Sequence, residues 1–247
     1  MGNNMIVLMS DFGESEYVGV MKGVILSLCP TAEVVDLTHS ISPQSVIEGA
    51  WVLLQTYKYF PKDSIFVCVV DPGVGTARDA VVVKTRNYTF IGPDNGLLYP
   101  AAKTDGMVSV SSIVTDTDAS KTFHGRDVFA RMGGLILRNE SSKMLGGFKP
   151  SLSVTLEFEQ NGRKGVIVRI DRFGNIITNI PPAEKSEYLL VTDDLRWSIQ
   201  WYATYSQGPD SGVFLVTGSY GTLEVAAKNG RAAKEIPLRV GDRIAIE

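Results

Sequence analysis

Six consecutive apolar residues, Ile65-Phe66-Val67-Cys68-Val69-Val70, lead directly into Asp71-Pro72-Gly73-Val74-Gly75-Thr76-Ala77-Arg78. A run without polar alternation fits a strand buried on both faces, and such strands belong to sheets covered by helices on each side. Pro and two Gly after the carboxylate require a tight turn at the strand's carboxyl end. Ligands of open α/β sheets sit at those ends. Asp71 is therefore expected at a site mouth, with Arg78 returning towards it. Taken alone, the segment also fits a plain β-turn capped by Asp71, with Arg78 in solvent.

The preceding residues set that strand in a β-α-β-α-β series. Met5-Ile6-Val7-Leu8-Met9 closes on Ser10-Asp11-Phe12-Gly13, again a strand ending in a carboxylate and a glycine. Tyr17, Val20, Met21, Val24, Ile25 and Leu28 recur at helical spacing from about Glu16 to Cys29, and Pro30 stops the helix. Val34 to His39 reads as a strand, and Ile47, Ala50, Trp51, Leu54 and Tyr57 mark a second helix ended by Pro61. This order calls for parallel strands with right-handed crossovers.

Further strands are expected at 80–84, 88–91 and 107–110. An apolar helix bearing Val128, Phe129, Met132, Leu135 and Ile136 follows Phe123-His124-Gly125-Arg126-Asp127. Residues 139–150 are polar and glycine-bearing and read as a linker. Beyond them, short apolar runs at 165–170, 176–180, 188–191, 213–216, 222–226 and 243–246 are separated by Gly, Asp or Pro, as in a small antiparallel sandwich or barrel. The expected class is α/β: an amino-terminal domain, residues 1–150, with a mainly parallel sheet flanked by helices, and a smaller antiparallel β-barrel or sandwich over 151–247.

The net charge of −3 supplies no basic field, so nucleic acid is not favoured as a partner. No apolar run approaches the ~20 residues that span a bilayer, and the start lacks a signal-peptide pattern. A cytoplasmic chain without a membrane partner is the expectation. Cys29 and Cys68 read as two buried thiols rather than a disulfide, and zinc held by cysteine is excluded for want of ligands. Asp11, Asp71, His39 and His124 include metal-ligand types, but they are scattered and lack a paired-histidine helix, so a metal is a weak reading.

The two histidines are the side chains able to exchange protons near neutral pH. His124 opens a helix, where backbone N–H groups can hold an oxygen, whereas His39 fits a loop-pinning role. Neither Gly73-Val74-Gly75 nor Gly92-Pro93-Asp94-Asn95-Gly96 has a phosphate-loop pattern. Ile170-Asp171-Arg172-Phe173-Gly174-Asn175 reads as a hairpin turn whose polar and aromatic groups also suit a ring and an amine.

Seven blocks in order resemble the S-adenosylmethionine hydroxide adenosyltransferase family, relatives of the fluorinating and chlorinating enzymes. They are Ser10 to Gly13, Tyr17 to Gly23, Asp36 to His39, Asp71 to Gly75 with Arg78, Pro93 to Gly96, Phe123 to Asp127 and Ile170 to Asn175. The resemblance implies a catalytic Asp71, Arg78 and His124 and a ribose-binding Asp11. It places Asp171 on the methionine ammonium, with Phe173 and Asn175 beside it, and Tyr220 and Asn229 more loosely at the substrate. It implies no cofactor and no metal, S-adenosylmethionine as substrate, and a homotrimer with sites at subunit interfaces. The halogenating relatives align with tyrosine at Asp71 and His124, and the fluorinating one with serine at Gly125. An anionic Asp71 would repel halide, which favours water as nucleophile: hydrolysis of S-adenosylmethionine to adenosine and L-methionine by in-line attack on C5′. A non-catalytic binding module and halide-dependent adenosyl transfer are the alternatives, and the sequence leaves open which triad member takes the proton.

Overall fold

The structure is a computed structural model that describes residues 4–183, 185–193 and 196–247. The chain divides into two compact units, Met1–Leu156 and Glu157–Glu247.

In the first unit, β1 (Met5–Ser10), α1 (Glu16–Leu28), β2 (Glu33–Thr38), α2 (Val46–Thr56) and β3 (Ile65–Val69) follow the expected alternation. They are joined by β4 (Ala80–Thr85), β5 (Thr89–Pro93), α3 (Tyr99–Asp105) and β6 (Met107–Ile113). A wide π-helical turn (Gly125–Ala130) then runs into α4 (Arg131–Leu137), and β7 (Leu145–Lys149) closes the series. The sheet order is β2-β1-β3-β5-β4-β6-β7. The pairs among β2, β1, β3 and β5 are parallel, whereas β5–β4, β4–β6 and β6–β7 are antiparallel.

The sheet is therefore mixed, not mainly parallel. The cause is local: β4 and β5 are joined through Arg86 and Asn87 by a hairpin, with Thr85 N–H donating to Tyr88 O at 2.9 Å. A link that short cannot make a parallel crossover. The expected linker also differs. Leu145–Lys149 pairs with β6, Val110 opposite Lys149 and Ser111 opposite Phe148, so this stretch is an edge strand. Leu152 is buried with the first core, and the first unit extends to Leu156.

Alternate strand residues feed the two faces of the sheet. Val7, Met9, Phe66, Cys68, Val83 and Phe90 pack with α2 and α3, while Ile6, Leu8, Ile65, Val67, Val82 and Ile91 pack with α1, the π-turn and α4. Every residue of β3 is buried, as its unbroken apolar run requires. Cys68 is buried, but Cys29 at the end of α1 is only half-buried, and both are free thiols.

The second unit contains β8 (Lys164–Ile170), β9 (Ile176–Thr178), β10 (Glu187–Val191), β11 (Arg196–Gln200), β12 (Val213–Thr217), β13 (Leu223–Ala227), α5 (Ala232–Glu235) and β14 (Arg243–Ile246). The order β11-β10-β14-β8-β9-β13-β12 is antiparallel throughout. A bridge from Trp201 to Leu215 brings the two ends together, with Tyr202 N–H donating to Leu215 O at 2.9 Å. The sheet thus curls into a near-barrel around Ile167, Ile176, Leu190, Leu215 and Val225.

Candidate active site

β1 and β3 are parallel neighbours with Ser10 opposite Val69, so Asp11 and Asp71 leave adjacent strand ends on the same side of the sheet. After Val70 the chain curls sharply. Val74 N–H donates to Asp71 O at 3.2 Å, and Thr76 donates to Gly73 O through its N–H (3.1 Å) and its hydroxyl (2.7 Å). Gly75 has φ +76°, and a Cβ there would collide with Lys121 O, so glycine is required on two counts. The curl returns Arg78 to the strand end.

Arg78 Nε donates to both oxygens of Asp71, at 2.9 and 3.0 Å, and Nη2 also donates to Oδ2. Nη2 lies 2.7 Å from His124 Nδ1. A guanidinium has no acceptor, so Nδ1 must be the accepting atom and the neutral ring carries its proton on Nε2. The Asp71 and Arg78 side chains are 5% and 10% exposed. Arg78 lies over the Phe129 ring, 5.4 Å from its centroid, so the cation is packed as well as paired. Burial and the Arg78 charge push the His124 imidazole below its ordinary pKa, with Asp71 and Asp127 offsetting part of the shift.

His124 stands at the mouth of the π-turn. The preceding loop is held by Asp127, which accepts from Ser120 N–H at 2.8 Å and from Arg126 Nε at 2.6 Å. A Cβ on Gly125 would lie 3.1 Å from the Phe123 ring, 3.2 Å from Met21 Sδ and 3.4 Å from the Phe12 ring. Phe12, Tyr17 and Phe123 form an aromatic cluster beside it, Phe12 edge-to-face with both others and Tyr17 tilted against Phe123, with centroids 4.8 to 6.0 Å apart.

Asp11 Oδ2 accepts from Gln44 N–H at 2.7 Å, and Gln44 sits at φ +64°. His39 is not gathered with Asp71. Its Nδ1 is 2.7 Å from Ser10 Oγ, its Nε2 is 3.1 Å from Asp36 Oδ1, and its carbonyl accepts from Gly13 N–H at 2.8 Å. It ties the ends of β1 and β2 together. Among the described residues, no group of three or more His, Cys, Asp or Glu is placed to hold a metal.

In the second unit, Asp171 closes the β8–β9 hairpin. Its Oδ1 accepts from Phe173 N–H and Asn175 N–H, both at 2.9 Å, and its Oδ2 from Asn175 Nδ2 at 2.9 Å. The turn presents Phe173, 67% exposed, and keeps Asn175 buried. Gly174 has φ +86°, and a Cβ there would meet Arg231 Cβ at 2.6 Å. Tyr220 lies half-buried in the β12–β13 turn, and Asn229 is exposed after β13 at φ +55°. A residue that sequence reasoning missed is Glu224 on β13, buried and accepting from Tyr205 Oη at 2.8 Å. Burial raises its carboxyl pKa and the nearby Asp171 charge adds to this, against the Tyr205 hydrogen bond. Only the structure reveals it, because Glu224 lies in a strand whose neighbours are all apolar.

Residues 6–146 match the model of the SAM hydroxide adenosyltransferase N-terminal domain, and residues 165–245 match that of the C-terminal domain. The chain belongs to the SAM hydroxide adenosyltransferase family. Among similar members, the (R)-S-adenosyl-L-methionine hydrolase of Methanocaldococcus jannaschii is 39% identical over 73% of this chain and 68% of its own. The enzyme of that name from Salinispora arenicola is 33% identical over 96% of this chain and 95% of its own. The fluorinase of Actinoplanes sp. is 28% identical over 72% of each. An uncharacterized conserved protein from Thermotoga maritima has the same two-part fold, with a TM-score of 0.88 and 30% identity over 98% of this chain and 100% of that one. Of the candidate residues, Asp11, Asp71, Arg78 and His124 lie within the N-terminal match, and Asp171, Phe173, Asn175, Tyr220 and Asn229 within the C-terminal one.

Proposed function

We propose that this chain hydrolyses S-adenosylmethionine to adenosine and L-methionine by in-line attack of water on C5′. A new C5′–O bond forms as the C5′–S bond breaks, and the bonding pair returns to sulfur. The sulfonium leaves as a neutral thioether, so the leaving group needs no acid. One proton must leave the attacking water. The observation that carries the reading is Arg78 bridging the Asp71 carboxylate and the neutral His124 ring in a nearly buried cluster.

With Nδ1 engaged by Arg78 and Nε2 protonated, His124 has no free lone pair, whereas Asp71 Oδ1, which takes a single bond from Arg78 Nε, keeps acceptor capacity. Asp71 is accordingly the proton acceptor and aims the water, while His124 holds Arg78. Such general-base help contributes about 10²–10⁴-fold. Asp11 holds the ribose hydroxyls. Asp171, with Phe173, Asn175, Tyr220 and Asn229, takes the methionine and adenine ends. A homotrimer and a cytoplasmic location belong to the same proposal; sedimentation returning a monomer would remove the first.

The halide reading is less well supported. A carboxylate at the strand end repels chloride or fluoride, and a serine side chain at Gly125 would crowd Phe123 and Met21. The hydrolase relatives are named for the R form, and the sulfonium is a stereocentre. Restriction to one epimer would spare the other, so hydrolysis of the R epimer is the finer form of the proposal.

The test is chromatography of each epimer with the protein, with and without chelator. Adenosine and methionine should appear from the R epimer in both conditions. Binding without turnover would point to a non-catalytic module, and loss of turnover with chelator to a metal hydrolase.

A further inference from the structure

The Gly92 to Gly96 block has no part in the chemistry above, yet it bonds to both flanks of the Asp71–Arg78 loop, through a side chain on one and the backbone on the other. Asn95 Nδ2 donates to Val70 O at 2.9 Å, the carbonyl immediately before Asp71. Its Oδ1 accepts from Leu97 N–H at 3.1 Å, which fixes the amide in its own turn. On the other flank, Asp94 N–H donates to Asp79 O at 2.9 Å, the residue immediately after Arg78. The Asp94 side chain is fully buried. Its oxygens accept from Lys149 Nζ at 2.9 Å, from Ser153 N–H at 3.0 Å and from Val154 N–H at 3.3 Å. Lys149 also pairs with the Asp79 carboxylate. Close approach underlies the arrangement, since a Cβ on Gly92 would lie 2.5 Å from Cys68 O.

We propose that Asn95 and Asp94 are positioning residues, a clamp that holds Val70 and Asp79 so that Arg78 meets Asp71 and His124 together. The proposal deepens the hydrolase reading and rests on it for its effect on turnover. Between the two clamped points lies a turn with Gly73 and Gly75 in it, whose bonds close its curl without reaching Val70 or Asp79. Releasing one end lets the guanidinium drift from the imidazole. Displacements near 1 Å can lower turnover about 10²-fold.

Asn95→Ser tests this without changing charge: a serine hydroxyl can still accept from Leu97 N–H but cannot reach Val70 O. The deciding readout is the NMR titration of the His124 ring, which is independent of turnover. His124 faces Arg78, Asp71 and Asp127; burial holds its midpoint down, the nearby guanidinium adds to this, and the two carboxylates oppose it. In Asn95→Ser the midpoint should rise towards the ordinary value of about 6.5, with kcat falling about 10- to 100-fold and KM unchanged. Asn95→Ala should show the same direction, and it carries the test if the serine variant does not fold. An unchanged His124 midpoint in a folded variant overturns the clamp. A shifted midpoint in a protein that never turns over S-adenosylmethionine would keep the clamp and reject the hydrolase reading.

Discussion

Arg78 can only donate, so its contact with His124 decides the imidazole's tautomer and charge in one stroke. The ring must stay neutral for Nδ1 to accept, and burial together with the adjacent guanidinium favours that form. The sign of the pH dependence follows. The folded-state pKa of His124 lies below the ordinary value of about 6.5, so activity should be flat through neutral pH and fall only on the acid side of that value. Stability linked to the same group is present above the unfolded value and is lost as pH falls towards the lowered one. The kcat/KM profile measures this; an acid limb at or above the ordinary value would contradict the neutral, Arg78-bonded ring. Asp71 with Arg78, and separately His124, stood out in the sequence beside glycines at a strand end and a helix start, but only the resemblance joined the three. The tautomer was not legible, because it depends on a contact across 46 residues.

At the scale of elements, β3 and its flanking helices were readable from apolar runs and helical periods, and the structure has them. The directions of β6 and β7 were not, since an apolar run does not encode which way a strand points, whereas the short link at Arg86 and Asn87 already marks β4 and β5 as a hairpin. Leu145-Gly146-Gly147-Phe148-Lys149 carries too little apolar signal to announce a strand, and in β11 only Ile199 is buried. What makes β7 matter is Lys149, which reaches from this edge to buried Asp94. Burial acts to raise the Asp94 carboxyl, but hydrogen bonds from Ser153, Lys149 and Val154 outweigh it and hold the group below its usual range. Its contribution to stability is therefore present above the unfolded value of about 3.9 and is lost as pH falls through the depressed folded one. Asp94→Asn breaks a buried pair and should cost about 3 kcal/mol at neutral pH, with a shallower loss of stability in acid than the native chain. Denaturant melts at neutral pH and below pH ~4 would show this, and equal midpoints for both proteins at neutral pH would refute it.

For the whole molecule, membership of the family rests on matches through both units, and the proposed nucleophile on one corner of the first. The family contains hydrolases and fluorinases on similar chains, so the fold alone does not choose between them. The proposal of water as nucleophile rests on the carboxylate at the strand end and on the close neighbours of Gly125. The sequence announced the carboxylate and the structure supplied the crowding. Asp94 and Asn95 stood in a block the sequence marked, but their partners at Val70, Lys149 and Ser153 did not show, and Glu224 left no local mark because Tyr205 lies 19 residues away. The oxygen of the product tests the central claim most directly. Turnover of S-adenosylmethionine in H₂¹⁸O should place one labelled oxygen on the 5′ carbon of adenosine and none in methionine. Adenosine released without label would contradict attack by water on C5′.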